Sequence, residues 1–149
     1  PMRVAVSSCL LGVCCKYSGG HNRSDELLEL LEGHEVIPVC PEVLGGLPVP
    51  RPSCEIVNGT VRTQTGESKE RPYQEGARRA LAIVEERRAE LVILQPRSPS
   101  CGLTHIYDGT FSGVLIEGSG RFAQALQQRK IPAVDMENLT EIRRLLKKR

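Results

Sequence analysis

Four short apolar runs constrain the fold more than any other feature. Val4-Ala5-Val6, Val36 to Val39, Leu91 to Leu94 and Ala133-Val134 each read as a strand, and the stretches between them have a different period. Ser24 stands at an N-cap position, ahead of Asp25 and Glu26 and the apolar stripe Leu27, Leu28 and Leu31, with Gly33 as a stop. Tyr73, Ala77, Ala80, Leu81 and Val84 recur at helical spacing in a longer helix expected from Pro72 to Arg88. Further helices are expected from Ser119 or Gly120 to Leu126 and from Thr140 to Lys148. Strands alternating with helices argue for a parallel sheet, because parallel neighbours need crossovers that are normally helical. The reading is α/β: one Rossmann-like, three-layer domain over residues 1–149, its sheet mainly parallel and its helices on both faces. Glu55-Ile56-Val57 and Thr60-Val61-Arg62 flank Asn58-Gly59, which accepts the positive φ angles of a tight hairpin turn.

No G-x-G-x-x-G or P-loop follows the first strand, so the usual phosphate cradle of such folds is absent. The strands run instead into irregular loops. Pro41, Pro48, Pro50, Pro52 and the pair Gly45-Gly46 exclude regular structure from Cys40 to Pro52, and Pro96 to Gly102 is a second irregular loop. In open α/β sheets ligands bind beyond the carboxyl ends of the strands. Cys9, Cys40 and Cys101 each follow a strand in a loop of this kind, so the three are expected to meet at one rim.

The chain has six cysteines, the others being Cys14, Cys15 and Cys54, and no C-x-x-C pair. A chain able to build its own core has little need of disulfides, so loop cysteines point to metal or catalysis. Three converging thiolates suit a zinc ion or three corners of an iron–sulfur cluster, and the residues alone leave both open. A zinc-binding structural or regulatory module and an electron carrier whose cluster Cys54 closes are the alternatives to an enzyme. Cys14, Cys15 and Cys54 read as packing or incidental residues.

Twenty basic against 18 acidic side chains give a net charge of +2, and aromatics are 3% with no Trp, so polymeric nucleic acid is not an expected partner. The longest uncharged apolar stretch, Cys9 to Cys15, is far shorter than the ~18 residues of a membrane span, and a cytoplasmic location is expected.

Several blocks carry a resemblance. Ser7-Ser8-Cys9-Leu10-Leu11-Gly12 is followed by Lys16-Tyr17 and Gly19-Gly20-His21. Cys40-Pro41-Glu42-Val43-Leu44-Gly45-Gly46-Leu47-Pro48 leads to Pro50-Arg51-Pro52, and Ser98-Pro99-Ser100-Cys101-Gly102 to Tyr107-Asp108-Gly109-Thr110-Phe111. Together they resemble the thiouracil desulfidase family over nearly the whole chain. The resemblance implies a 4Fe-4S cluster held by Cys9, Cys40 and Cys101, with one iron left open. It implies non-redox removal of sulfur from a thiolated uracil base or nucleotide: the substrate sulfur meets the open iron, water attacks the ring carbon and sulfide leaves. Glu42 and Ser100 are then the residues expected to activate water and move protons. Departures fall at Ser18, Gln95 and Glu67-Ser68-Lys69, where members often carry Asp, Lys and Asp-Val-Thr; they spare the expected ligands.

Physical chemistry supports those roles. Iron lacking a thiolate is a Lewis acid with an affinity for sulfur, and a carboxylate two residues past a ligand is placed to reach a water. Lys16, Gly19, Gly20, His21 and Arg51 are the candidate substrate contacts, and Lys16, Arg51 and Arg97 the charges available to a nucleotide phosphate. Glycine pairs more often make turns than phosphate cradles.

Overall fold

The computed structural model describes residues 1–147. The expected end of the last helix at Lys148, and Arg149 after it, lie outside the described residues. In chain order the strands are β1 (Arg3–Ser7), β2 (Glu35–Val39), β3 (Cys54–Val57), β4 (Thr60–Thr63), β5 (Leu91–Leu94), β6 (His105–Tyr107), β7 (Leu115–Glu117) and β8 (Ala133–Asp135). The helices are α1 (Asp25–Leu31), α2 (Pro41–Leu44), α3 (Glu70–Glu86), α4 (Arg121–Gln128) and α5 (Leu139–Lys147). No helix of the described residues is long and apolar enough to cross a membrane.

The main sheet has the order β2-β1-β5-β8 and is parallel throughout, with Val4 opposite both Val36 and Leu91, and Val92 opposite Ala133. Strand alternation divides the core. Val4, Val6, Leu91 and Ile93 pack with Leu27, Leu31, Ile142 and Leu146 from α1 and α5. Ala5, Val92 and Leu94 pack with Ala77, Ala80, Val84, Phe122 and Leu126 from α3 and α4. Helices on both faces explain why every residue of β5 is apolar and buried. Pro38 is tolerated in β2 because that strand is an edge.

The expected helices form with shifted ends. The Ser24 hydroxyl accepts the Leu27 N–H at 3.2 Å, and Gly33 follows α1 at φ 83°. The longer helix begins at Glu70, ahead of Pro72, because a proline in the first turn gives up no helical hydrogen bond. His34, just past α1, joins two layers: its Nδ1 accepts the Met2 N–H and its Nε2 meets the Leu146 carbonyl, each at 3.0 Å.

One expectation is corrected, and one hairpin is added. The segment after Cys40 is not wholly irregular, since Pro41–Leu44 forms one helical turn with proline in its first position. This turn lies backbone against backbone on α3: a Cβ on Gly45 would stand 2.0 Å from the Pro72 carbonyl oxygen, and one on Gly76 would stand 1.9 Å from that of Pro41. Tyr107 to Thr110 leads into the loop of a second hairpin, β6 with β7, whose strands are too short to show a period. The first hairpin, β3 with β4, has the expected register around Asn58 and Gly59, both at positive φ. Both hairpins are separate from the main sheet, and the first packs Cys54 and Val61 on Tyr73 of α3.

Candidate active site at the strand ends

Beyond the ends of β1, β2 and β5 the chain turns around a cavity of about 600 Å³, and Cys9, Cys40 and Cys101 all line it. Each is presented by a different device. Cys9 lies in a 3₁₀ turn from Ser8 to Leu11 that Gly12 closes at φ 97°. Cys40 is the extended N-cap residue of α2. Cys101 sits in the loop after β5, its N–H donating to Ser98 Oγ at 2.8 Å.

Polar donors face these sulfurs. Ser7 directs its hydroxyl at Cys101 Sγ at 3.6 Å, Ser100 Oγ lies 3.7 Å from the same sulfur, and Asn22 Nδ2 approaches Cys9 Sγ at 3.5 Å. Ser7 is itself fixed, since its Oγ accepts the Gln95 N–H at 3.0 Å. Burial pushes the Cys101 thiol up to about 12 against the lowering effect of Ser7 and Ser100, and burial raises Cys9 as well. A hydrogen bond from the neighbouring Cys15 thiol holds Cys40 below the usual thiol range, while Cys15 is pushed up.

A second group of residues shares the cavity. Ser100 Oγ donates to Glu42 Oε2 at 2.7 Å, and Arg51 Nε donates to Glu42 Oε1 at 3.0 Å. The pair is sheltered, with side-chain exposures of 4% for Arg51 and 13% for Glu42, which places it in the regime of strong charge-assisted bonding. Arg51 also donates to the carbonyls of Pro48 and Cys15, at 3.0 and 2.9 Å. Tyr73 faces Glu42 and Cys54, and burial together with those neighbours pushes its phenol well above the usual range.

Of the expected substrate contacts, Lys16 and Arg51 line the cavity, whereas Gly19, Gly20 and His21 are not among its lining residues. The Lys16 ammonium donates to the Asn22 side-chain carbonyl at 3.2 Å. His21 is exposed and accepts the Arg23 N–H at 3.1 Å. Arg97 lines the cavity but is paired with Glu137 at 3.2 Å, and Gly45 is occupied by its packing on α3.

Cys15 and Cys54, expected as packing or incidental residues, are buried in the core clusters and also line the cavity, while Cys14 is exposed. Asn22, Ser7, Glu55 and Tyr73 also line it and were not expected there. Tyr73 reads in the sequence as one position of an apolar stripe, which is accurate for its ring and silent about its hydroxyl. Ser7 was legible as part of the Ser7-to-Gly12 block, although only the fold shows that it serves Cys101 and not its neighbour Cys9.

Among the described residues no three His, Cys, Asp or Glu side chains stand close enough together to hold a single metal ion. An iron–sulfur cluster takes one cysteine per iron, and three thiols around one cavity, with hydroxyl and amide donors at their sulfurs, fit it.

Parallel strands that deliver thiols, a carboxylate and a hydroxyl to one cavity define an α/β protein with a thiol-lined cavity at its strand ends. The family model described as 2-thiouracil desulfurase matches residues 4–138, and the chain belongs to that family. It is 40% identical to the uncharacterized protein YbbK of Bacillus subtilis, over 93% of this chain and 99% of that one. Its fold is similar to the solved structure of the 4Fe-4S-dependent thiouracil desulfidase TudS, with a TM-score of 0.89 and 34% identity over 98% of each chain.

Proposed function

We propose that this protein removes sulfur from thiouracil in a cluster-dependent hydrolysis, with Cys9, Cys40 and Cys101 as the cluster's three protein ligands, one iron left open, and Glu42 and Ser100 as the catalytic pair. The observation that carries this reading is the 2.7 Å hydrogen bond between Ser100 and Glu42 inside the cavity that the three cysteines line. A bound cluster of this kind supplies an iron that attracts sulfur and polarises the C=S group.

The chain's residues do the rest. In the net reaction water adds its oxygen to the ring carbon, the carbon–sulfur bond breaks, and both water protons leave the oxygen, so uracil and hydrogen sulfide balance thiouracil and water. Glu42 is assigned to take a proton from water, as a carboxylate that lines the cavity and is hydrogen-bonded to Ser100. Ser100, bonded to Glu42, relays or holds that proton. Arg51 serves Glu42, with its other donors on backbone carbonyls, and is reassigned from phosphate contact to positioning residue. Lys16 is the cation we assign to substrate, because its partner, the Asn22 amide, is neutral. A thiolated pyrimidine, base or nucleotide, is the substrate class.

The test is anaerobic reconstitution with iron and sulfide, followed by a sulfide-release assay on 2-thiouracil, 4-thiouracil and their nucleotides. Wild-type release with about four iron per chain supports the reading. A fully loaded protein that releases sulfide from none of these compounds overturns it.

A further inference from the structure

The Tyr107-to-Phe111 motif has no part in the chemistry above, yet the loop joining β6 to β7 borders the cavity through Tyr107, Phe111 and Gly113. Phe111 has φ 58°, in the left-handed region that a bulky side chain rarely adopts. Backbone strain of this kind persists where the surroundings over-determine it, and it concentrates at functional sites.

Here the surroundings are a buried carboxylate. Glu55, on β3, takes the N–H groups of both Gly109 and Phe111 on one oxygen, each at 3.0 Å. Gly109 lies so close to β3 that a Cβ would stand 2.7 Å from the Ile56 carbonyl oxygen, so the loop is clamped to the first hairpin on both sides of Thr110. Asp108 tightens the loop further by accepting both the N–H and the hydroxyl of Thr110, at 2.9 and 2.6 Å. Burying a carboxylate to hold two backbone groups, one of them belonging to a strained aromatic residue at a cavity wall, fixes that residue's position at the wall.

We infer that Phe111 binds substrate by presenting its ring as the wall against which the flat face of the thiolated pyrimidine packs, with Glu55 as the positioning residue that holds it there. The inference rests on the desulfidase reading. The substrate ring is planar and aromatic, the class of surface that packs best on a second ring, and such packing tolerates differences in ring substituents.

The experiment uses cluster-loaded protein with 2-thiouracil as the probe. Phe111→Leu keeps apolar bulk without the aromatic face, and its KM is expected to rise roughly ten- to hundredfold, with a much smaller fall in kcat. Phe111→Tyr recovers most of that loss. Phe111→Asn tolerates the left-handed backbone, so it is expected to raise KM in the same way while leaving Tm at or above the wild-type value. Glu55→Ala, which frees the loop, raises KM like Phe111→Leu, and Glu55→Gln, which keeps an acceptor oxygen, restores it. A folded, loaded Phe111→Leu variant with KM within twofold of wild type overturns this inference and leaves the desulfidase reading standing. Failure of the loaded wild type to release sulfide from any thiouracil removes both.

Discussion

Arg51 grips one oxygen of Glu42 with two nitrogens, Nε at 3.0 Å and Nη2 at 2.9 Å, while Ser100 holds the other oxygen. The carboxylate is thereby fixed in direction within a sheltered site. Removing one partner of a sheltered ion pair leaves the other charge uncompensated, at a cost of about 3–5 kcal/mol. Arg51→Met is therefore expected to lower Tm strongly and to depress sulfide release in whatever protein remains folded and loaded. Arg51→Lys restores charge without the fork, so calorimetry should show partial recovery of Tm and kinetics a smaller recovery of kcat.

Glu42→Gln keeps the size of the side chain and an oxygen for Arg51 but cannot take a proton. Iron content should remain at the wild-type level while kcat falls by about 10²–10⁴. Ser100→Ala should lose activity too, because its hydroxyl donates to Glu42. If the two residues act as one unit, the double variant is no slower than Glu42→Gln alone. Multiplicative losses would show that Ser100 works independently of Glu42.

The convergence of Cys9, Cys40 and Cys101 was legible because it follows from topology: strand ends of a parallel sheet share a rim, and each of these residues follows a strand. Other relationships depend on contacts that no local pattern encodes. The bond between Arg51 and Glu42 requires the chain to double back within a proline-rich loop, so Arg51 read as a free cation. Glu55 read only as a hairpin residue, since its partners Gly109 and Phe111 lie more than fifty positions away in sequence. Cys15 read as incidental beside Cys14, because adjacent positions give no sign of which thiol turns inward. Proline and glycine signalled irregularity after Cys40 and concealed α2, whose proline occupies the one helical turn that accepts it.

The contact of α2 on α3 bears directly on the segment that carries Glu42. Gly76 touches the Pro41 backbone so closely that a methyl group there would stand 1.9 Å from its carbonyl oxygen, and neither backbone can yield cheaply. Gly76→Ala must push α2 away, and α2 carries Glu42 and begins at Cys40. Glycine to alanine in a helix interior ordinarily favours the helix, so a loss of stability here would be diagnostic of overpacking, expected at about 1–3 kcal/mol. Iron bound after reconstitution should fall with it. Denaturant melts together with iron analysis check both effects, and wild-type stability with full iron loading would show that the crossing is looser than described.

Glu70 and Arg121 fasten the first hairpin to the helical layer and give the fold a specific response to acid. Arg121 donates to both oxygens of Glu70, at 2.7 and 2.8 Å, and also to the Gly59 carbonyl, while Glu70 accepts the Val61 N–H at 2.9 Å. The hydrogen bonds from Arg121 hold the Glu70 carboxyl down to about 2, against an ordinary value of 4.5. The folded-state value is the lower one, so the ionised form is what the fold stabilises. Its contribution is fully present above about pH 4.5, shrinks as pH falls from there toward 2, and is gone below that. Glu70→Gln cannot make the ionised interaction at any pH, and near neutrality it should be less stable than wild type by roughly 2 kcal/mol. The gap between the two proteins should stay level from pH 7 down to about 5 and then close across the acid range, because protonated Glu70 and glutamine offer Arg121 similar acceptors. Paired melts of the two proteins at stepped pH measure that gap directly, since acid effects common to both cancel in the difference. A gap that stayed constant down to pH 3 would mean that Glu70 is held by packing and neutral hydrogen bonds, with its charge playing no part.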